Sequence, residues 1–347
     1  MLEPYKPVLL ALVSDPGLAV RKRAVKLVRD SMLRAGALDL LRVVHTLALR
    51  LDDASEEDSV RELVGKALGE LWFGSGCLDG LVECAGKPWL VAVVRDAVQH
   101  KPCPALVEAL LARAHEHHDA MRVLKILCQA DAGLVIPHAR HVARVLCGPK
   151  AAGLDARLVA DACEICAMCV GHEDARLDVA ALEGALQRVL YTQRPSAMAA
   201  AVSCLQALSA HTRRAATRAL HEFAAVLRRT EARECAALSP HAKSNTERSL
   251  VCVGLLAKAG FGSSAAVLPC LEPFCASAVG DETIRKRALQ ALAHVCSTYP
   301  RDLVANGPAA VLLAQGLRDA SPLIRAQVLV RFVLPTRNRD THTHREG

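Results

Sequence analysis

The chain has 347 residues, of which 52% are apolar but only 3% are aromatic, and its formal net charge is +7. The scarcity of aromatic residues, with Ala, Leu and Val in their place, argues against a strand-rich fold and predicts an all-α protein. Its length predicts either two domains or one elongated array, and the positive charge is compatible with an acidic partner such as nucleic acid.

The first predicted helix lies between Asp15 and Gly36. Asp15 and Pro16 precede it as a start signal, and Gly36 follows it as a stop signal. Its expected core face has the spacing i, i+4, i+7 and i+11 and consists of Val20, Ala24, Leu27 and Ser31. A different face carries three cations at i, i+4 and i+7, namely Lys22, Lys26 and Arg29.

Helical periodicity continues along most of the chain. Further helices are predicted over residues 38–50, 56–72, 104–116, 119–130, 154–170, 175–190, 197–209, 213–230, 245–259 and 301–317. Residues 148–153 are the most linker-like stretch, although a repeat array needs no domain boundary there. The polar, aperiodic tail over residues 335–347 is predicted to be disordered. Because neither end of the helical region has the polar character of a cap, we expect either a piece of a longer array or an incomplete gene model.

The sequence repeats itself near its two ends. The stretch V-R-K-R-A-V at residues 20–25 recurs as I-R-K-R-A-L at residues 284–289. Arg21 and Arg61, like Arg285 and Arg325, are about 40 residues apart, which is the period of HEAT and armadillo repeats. One helical hairpin cannot bury its apolar stripe alone, so neighbouring hairpins must stack. We therefore predict a HEAT/armadillo-type α-solenoid of stacked helical hairpins over residues 1–334.

Some charged residues of such an array are expected to be structural. An Asp in the turn of a hairpin and an Arg early in its second helix can form a ladder with adjacent repeats. The residues that fit this ladder are Asp15, Arg21, Asp319 and Arg325. The ladder does not use Lys22, Lys26 or Arg29.

Three cysteines have the C-x2-C-x2-C spacing of cluster-binding ferredoxins, and His172 follows them. Their neighbours, however, predict one continuous helix, on which Cys163, Cys166 and Cys169 form a buried stripe. We favour this interpretation over a zinc or cluster site and expect no metal and no other cofactor. The 14 cysteines, placed mostly in apolar helices, indicate a reducing compartment.

The sequence contains no P-loop, nucleophile elbow, Gly-rich dinucleotide turn or H-E-x-x-H motif. We therefore expect a protein that is not an enzyme. We also expect no membrane partner, because no apolar run is long enough to span a bilayer.

Two acid-poor groups of cations are the candidate binding residues. The first group is Lys22, Arg23, Lys26 and Arg29, and the second is Arg213, Arg214 and Arg218. Equivalent faces of a solenoid line up, so the two groups could merge into one stripe that holds phosphates without reading sequence. The alternative is that both are ordinary solvated faces.

Residues 14–30, S-D-P-G-L-A-V-R-K-R-A-V-K-L-V-R-D, resemble a repeat of the Nipped-B-like cohesin-loading factors, also called sister chromatid cohesion protein 2. In that family a V-R-K-R-x-x-K-x-x-R-D helix precedes a repeat that ends in L-W-F, and here L-W-F stands at residues 71–73. Weaker likenesses follow in order at residues 201–208, 247–256, 283–295 and 321–332. The resemblance spans roughly residues 10–333, strongly over 14–73 and loosely elsewhere. Residues 74–195 have drifted or shortened relative to the family, and the tail after Pro335 does not resemble it.

This resemblance implies the C-terminal HEAT-repeat portion of a cohesin loader. Such a protein is not catalytic itself; it engages DNA and the cohesin complex, including its ATPase heads and kleisin, stimulates the ATPase and promotes loading onto chromatin for sister chromatid cohesion. A nuclear location and DNA or cohesin contact by Lys22, Arg23, Lys26 and Arg29 follow as expectations. The family's N-terminal segment, which binds the second loader subunit, has no counterpart here. The alternative is a generic HEAT-repeat adaptor, of the transport-receptor or phosphatase-scaffold type, which binds protein and not DNA.

Overall fold

The computed structural model describes residues 5–35, 40–75, 78–100, 103–114, 117–148, 151–210, 213–276, 279–300 and 307–330. Within these ranges every regular element is a helix, which confirms the predicted all-α class. None of these helices combines the length and the apolar character that crossing a bilayer requires. The tail over residues 335–347 lies outside the described residues.

Close packing divides the chain into two compact units, Met1–Asp178 and Val179–Gly347. The linker-like stretch at residues 148–153 lies inside the first unit, between two helices that pack against each other.

The first unit is a series of helical hairpins. Its helices are α1 (Lys6–Leu12), α2 (Leu18–Ala35), α3 (Leu40–Asp52), α4 (Asp58–Ser75), α5 (Leu78–Glu83), α6 (Leu90–His100), α7 (Pro104–Ala114), α8 (His118–Ala130), α9 (Ala132–Val135), α10 (Ala139–Cys147) and α11 (Ala156–Cys169). The second helices of successive hairpins stack in the order α2, α4, α6, α8 and α11. The first helices α3, α5 and α7 form a parallel row.

The second unit repeats this design with four hairpins. Its helices are α12 (Val179–Thr192), α13 (Pro195–Ala207), α14 (Arg214–Arg229), α15 (Pro240–Lys258), α16 (Ser264–Cys275), α17 (Glu282–Thr298), α18 (Pro308–Leu317) and α19 (Pro322–Val328). First helices stack as α12, α14, α16 and α18, and second helices as α13, α15, α17 and α19. This alternation within each unit confirms the predicted α-solenoid of stacked hairpins.

The core of α2 differs from its predicted face. Ala24 is buried as expected, but Val20 and Leu27 are each 40% exposed. The residues that α2 buries with Ala24 are Val25, Val28 and Met32. The prediction for Val20 and Leu27 is wrong because the main neighbour of α2 is α4, and that contact turns a different flank of the helix inward.

Candidate binding surfaces for an acidic partner

The predicted ladder residues of the first unit, Asp15 and Arg21, make hydrogen bonds and an ion pair within that unit. Arg21 lies in the first turn of α2, and its Nη1 donates to the carbonyl oxygens of Asp15 at 2.9 Å and Pro16 at 3.0 Å. Its Nη2 lies 3.0 Å from Oε1 of Glu56 in the next repeat, whose side chain is buried. Asp15 itself accepts the backbone N–H of Gly17 at 2.7 Å, which shapes the turn. These groups therefore hold the turn and join it to the neighbouring repeat.

The second unit has the same arrangement one repeat from its end. Arg285 is 7% exposed and Asp319 is 2% exposed. Nε of Arg285 donates to Oδ2 of Asp319 at 2.9 Å and Nη2 donates to Oδ1 at 3.2 Å, a two-pronged pair between repeats. Arg325 donates from Nη1 to the carbonyl oxygens of Asp319 at 2.6 Å and Ala320 at 2.9 Å. Arg325 thus secures the turn that presents Asp319 to Arg285.

A common rule connects the four arginines Arg21, Arg61, Arg285 and Arg325. Each donates to backbone carbonyls of the turn that precedes its own helix. The carboxylates that pair with Arg21 and Arg285 come from the following repeat, 35 residues on at Glu56 and 34 residues on at Asp319. Glu56 is a partner that the sequence did not indicate.

Arg29 differs from the other predicted binding cations of α2 in having carboxylate partners. Arg29 is ion-paired with Asp30 at 2.7 Å, and its Nε lies 3.6 Å from Oε2 of Glu70 on α4. Lys22, Arg23 and Lys26 have no carboxylate partner among the described residues; Arg23 and Lys26 are exposed and Lys22 is half-buried. We call these three residues the α2 basic surface. Binding of an acidic partner there stays a prediction.

Acidic side chains lie on the second helices that follow α2 in the stack, α4 and α6. On α4, Glu62 pairs with Lys66 at 2.8 Å. Lys66 and Glu70 line a shallow cleft between α4 and α6 together with Asp96. Positive charge is therefore not continuous from α2 along this row of helices.

The second group of cations lies along α14. Arg213, Arg214 and Arg218 are exposed, have no carboxylate partner among the residues that the structure describes, and line an open groove of about 590 Å³ with His221 and Glu222. We call the three arginines the α14 basic surface. Glu222, the acid in the lining of this groove, accepts a hydrogen bond from the hydroxyl of Tyr191. Burial, and then that carboxylate, raise the pKa of Tyr191 to about 12, so at neutral pH the tyrosine stays a donor.

The two basic surfaces occupy different positions in the repeat. α2 is the second helix of its hairpin, whereas α14 is the first helix of its own. Equivalent helices line up in a solenoid, but these helices are not equivalent. Each group is a candidate surface of its own unit, and the merging of the two groups into one stripe stays a prediction.

The cysteine stripe is packed inside the first unit. Cys163, Cys166 and Cys169 are fully buried on α11, as the helical interpretation predicted. Cys128 of α8 lies against them; its hydrogen bond with Cys169 and its burial both raise the pKa of the Cys128 thiol. In the part of the chain that the structure describes, no group of three or more His, Cys, Asp or Glu side chains is placed to hold a metal ion.

The order and stacking of the helices define a HEAT/armadillo-type α-solenoid. Among solved structures, one reported under "A conserved phosphorylation switch controls the interaction between cadherin and beta-catenin in vitro and in vivo" is similar, with a TM-score of 0.33 and 15% identity over 93% of this chain and 66% of that chain. Importin beta, crystallised in an ammonium sulfate condition, has a TM-score of 0.33 and 13% identity over 92% of this chain and 49% of its own length. An engineered protein has a TM-score of 0.29 and 14% identity over 92% of this chain and 96% of that chain. The chain thus spans less than two thirds of the first two proteins. No protein-family model and no curated protein sequence matches it.

Proposed function

We propose that this protein is a non-catalytic helical-repeat scaffold that binds an acidic partner through its basic surfaces. The observation that carries the proposal is the lack of carboxylate partners, among the described residues, for the cations of the α2 and α14 basic surfaces. Lysine and arginine side chains that are not neutralised within the protein are available to phosphates and release counterions when they bind them.

The partner that we propose is duplex DNA together with the cohesin complex, including its ATPase heads and kleisin. The chain would then act in the nucleus as part of a cohesin loader and promote loading onto chromatin for sister chromatid cohesion. The support for this particular partner is the resemblance of residues 14–73 to the Nipped-B-like family, which includes the α2 basic surface.

A protein-only adaptor is the second candidate. The carboxylates of Glu62, Glu70 and Asp96 on the following second helices, α4 and α6, favour it, because a row of helices with alternating charge suits a protein partner better than a phosphate backbone. The two candidates differ in whether the chain binds duplex DNA at all.

The first test is equilibrium binding to duplex DNA over a series of salt concentrations. If the α2 basic surface contacts phosphates, Lys22→Glu with Lys26→Glu should reduce the slope of log K against log salt by about 2 units and weaken binding at low salt at least about tenfold. Helix content, measured by circular dichroism, should not change, because Lys26 is exposed and neither lysine pairs with a described carboxylate.

The matched control is Arg122→Glu with Arg140→Glu, which makes the same change in net charge at exposed positions of α8 and α10. This control should leave the slope close to that of the unaltered protein. If the unaltered protein does not bind DNA at low salt, the DNA proposal is wrong, and a pull-down with cohesin heads becomes the test of the adaptor function.

The α14 basic surface has an independent test in the same assay. Arg214→Glu with Arg218→Glu should weaken DNA binding by a similar factor, because both side chains line the groove along α14 and neither pairs with a described carboxylate. An unchanged slope in this variant would assign the arginines of α14 to an ordinary solvated face.

A further inference from the structure

Three arginines of the second unit, one directly before a second helix and two on the next two second helices, line one small pocket. Arg194 is the residue before α13, Arg248 lies on α15 and Arg287 lies on α17. Together they line a cavity of about 180 Å³. We call this cavity the arginine pocket.

The rest of the lining combines polar groups with an apolar side. The polar side chains are those of Thr192, Gln193, Ser244 and Glu247, and the apolar ones are those of Pro195, Met198 and Val251. The pocket is open to the surface, since Arg194 is exposed and Arg248 and Arg287 are half-buried.

The end of α13 adds to the positive potential of the pocket. No side chain caps this helix of 13 residues, which begins with Pro195 directly after Arg194. The first N–H groups of a helix carry a partial positive charge that favours an anion nearby. The arginines and the helix end therefore act on the same space.

The charge of the pocket indicates the charge of its ligand. None of the three arginines pairs with a carboxylate among the described residues, and Arg287 donates only to the amide oxygen of Gln290 at 3.0 Å. With Glu247 as the acid in the lining, the side chains leave two net positive charges. A phosphate monoester carries about −1.5 to −2 at neutral pH, whereas a carboxylate or a nucleic-acid phosphodiester carries about −1. The planar fork of arginine also matches two phosphate oxygens at once.

We propose that the arginine pocket binds the phosphate of a phosphoserine or phosphothreonine in an extended segment of a partner protein. The size of the cavity suits one phosphate and the short stem that carries it, and Met198 and Val251 provide an apolar wall for that stem. A DNA duplex is too wide to enter. The inference does not depend on the proposed function, because the pocket shares no residue with either basic surface.

The proposal is tested by fluorescence anisotropy on the full chain, with a labelled peptide of Gly and Ser around one central phosphoserine. Binding should be at least about tenfold tighter than for the same peptide with Ser or Glu at that position, because only the phosphate supplies two charges and several acceptors. Competition with free O-phosphoserine, inorganic phosphate and duplex DNA separates a peptide ligand from the other sources of phosphate. The peptide should outcompete free phosphate at equal concentration.

Three variants assign the binding to the pocket. Arg248→Ala and Arg287→Ala should each weaken phosphopeptide binding about tenfold, since each removes one charge-assisted contact. Arg248→Lys keeps the charge without the fork and should give an intermediate loss. Arg228→Ala, which removes an exposed arginine of α14, is the matched control and should bind as tightly as the unaltered chain.

The possible results are decisive in either direction. Equal binding of the phosphorylated and unphosphorylated peptides, or unchanged binding in both Arg248→Lys and Arg287→Ala, overturns the proposal. The proposal is also overturned, in favour of a nucleic-acid ligand, if duplex DNA displaces the phosphopeptide from the unaltered chain but no longer displaces the residual bound peptide from Arg248→Lys or Arg287→Ala. If Arg248→Ala fails to fold, Arg194→Ala replaces it, because Arg194 is exposed and outside the core.

Discussion

Replacing Arg285 with alanine is expected to lower the free energy of unfolding by about 3–5 kcal/mol. The guanidinium group makes two hydrogen bonds to Asp319 and donates to the carbonyl of Val279, and both charged side chains are almost completely buried. Without the arginine, the carboxylate of Asp319 would remain in the interior with no charge opposite it, and the turn at Val279 would lose its donor.

Urea unfolding followed by far-UV circular dichroism measures this effect. The control is Arg113→Ala, which breaks an ion pair with Asp79. Both partners are on the surface, since the side chain of Arg113 is 44% exposed and that of Asp79 is 59% exposed. An exposed pair contributes at most about 1 kcal/mol, so this variant should be nearly as stable as the unaltered protein.

A double variant separates the ion pair from the loss of volume. Arg285→Met with Asp319→Leu removes both charges and keeps apolar bulk, so it should be more stable than Arg285→Ala. If Arg285→Ala and Arg113→Ala cost the same free energy, then Arg285 and Asp319 do not form a buried pair in solution.

The positions of the helices follow from local signals in the sequence. The helix predicted over residues 154–170 is Ala156–Cys169 in the structure, and Asp155 caps it by accepting the N–H of Arg157. The helix predicted over 245–259 begins earlier, at Pro240. Ser239 caps the helix by accepting the N–H of Ala242, and Pro240 is its first residue. These start signals place the helix start within a polar segment that has no apolar periodicity.

The buried flank of a helix is harder to predict than the helix itself. On α2 the apolar residues surround much of the helix, so their spacing permits more than one core face. The choice depends on where α4 packs, which is a contact between repeats. That contact buries Val25 and Val28 and leaves Val20 and Leu27 exposed.

The candidate binding sites are likewise hard to predict where they depend on contacts between repeats. The sequence identifies the arginines in the first turn of a second helix, because they recur at the period of the repeat. It does not identify the arginine pocket, whose members belong to a turn and to two helices far apart in the chain. One signal was available, since Arg248 and Arg287 lie about one repeat apart on successive second helices. Their convergence with Arg194 depends on the stacking of three hairpins.

Glycine at position 254 makes a second test of that stacking. Gly254 lies inside α15, where α15 packs against α17. A Cβ added at this position would lie 2.6 Å from Cα and 2.8 Å from Cβ of Ala291, closer than carbon atoms approach in proteins. The side chain of a larger residue would therefore push the two helices apart.

Gly254→Ala is expected to destabilise the protein by about 1–3 kcal/mol, the usual cost of overpacking a core. This direction is the opposite of the ordinary effect, since Gly→Ala inside a helix stabilises by about 0.5–1 kcal/mol through the entropy of the unfolded chain. Gly184→Ala on α12 is the matched control, because the nearest atom to its added Cβ is the flexible end of Arg188 at 3.9 Å. The midpoint of urea unfolding should thus fall for Gly254→Ala and rise for Gly184→Ala.

Adding Ala291→Gly to Gly254→Ala should restore only part of the stability, because the backbone of α17 remains too close. If Gly254→Ala is as stable as Gly184→Ala, α15 and α17 are further apart in solution than the stacked hairpins require.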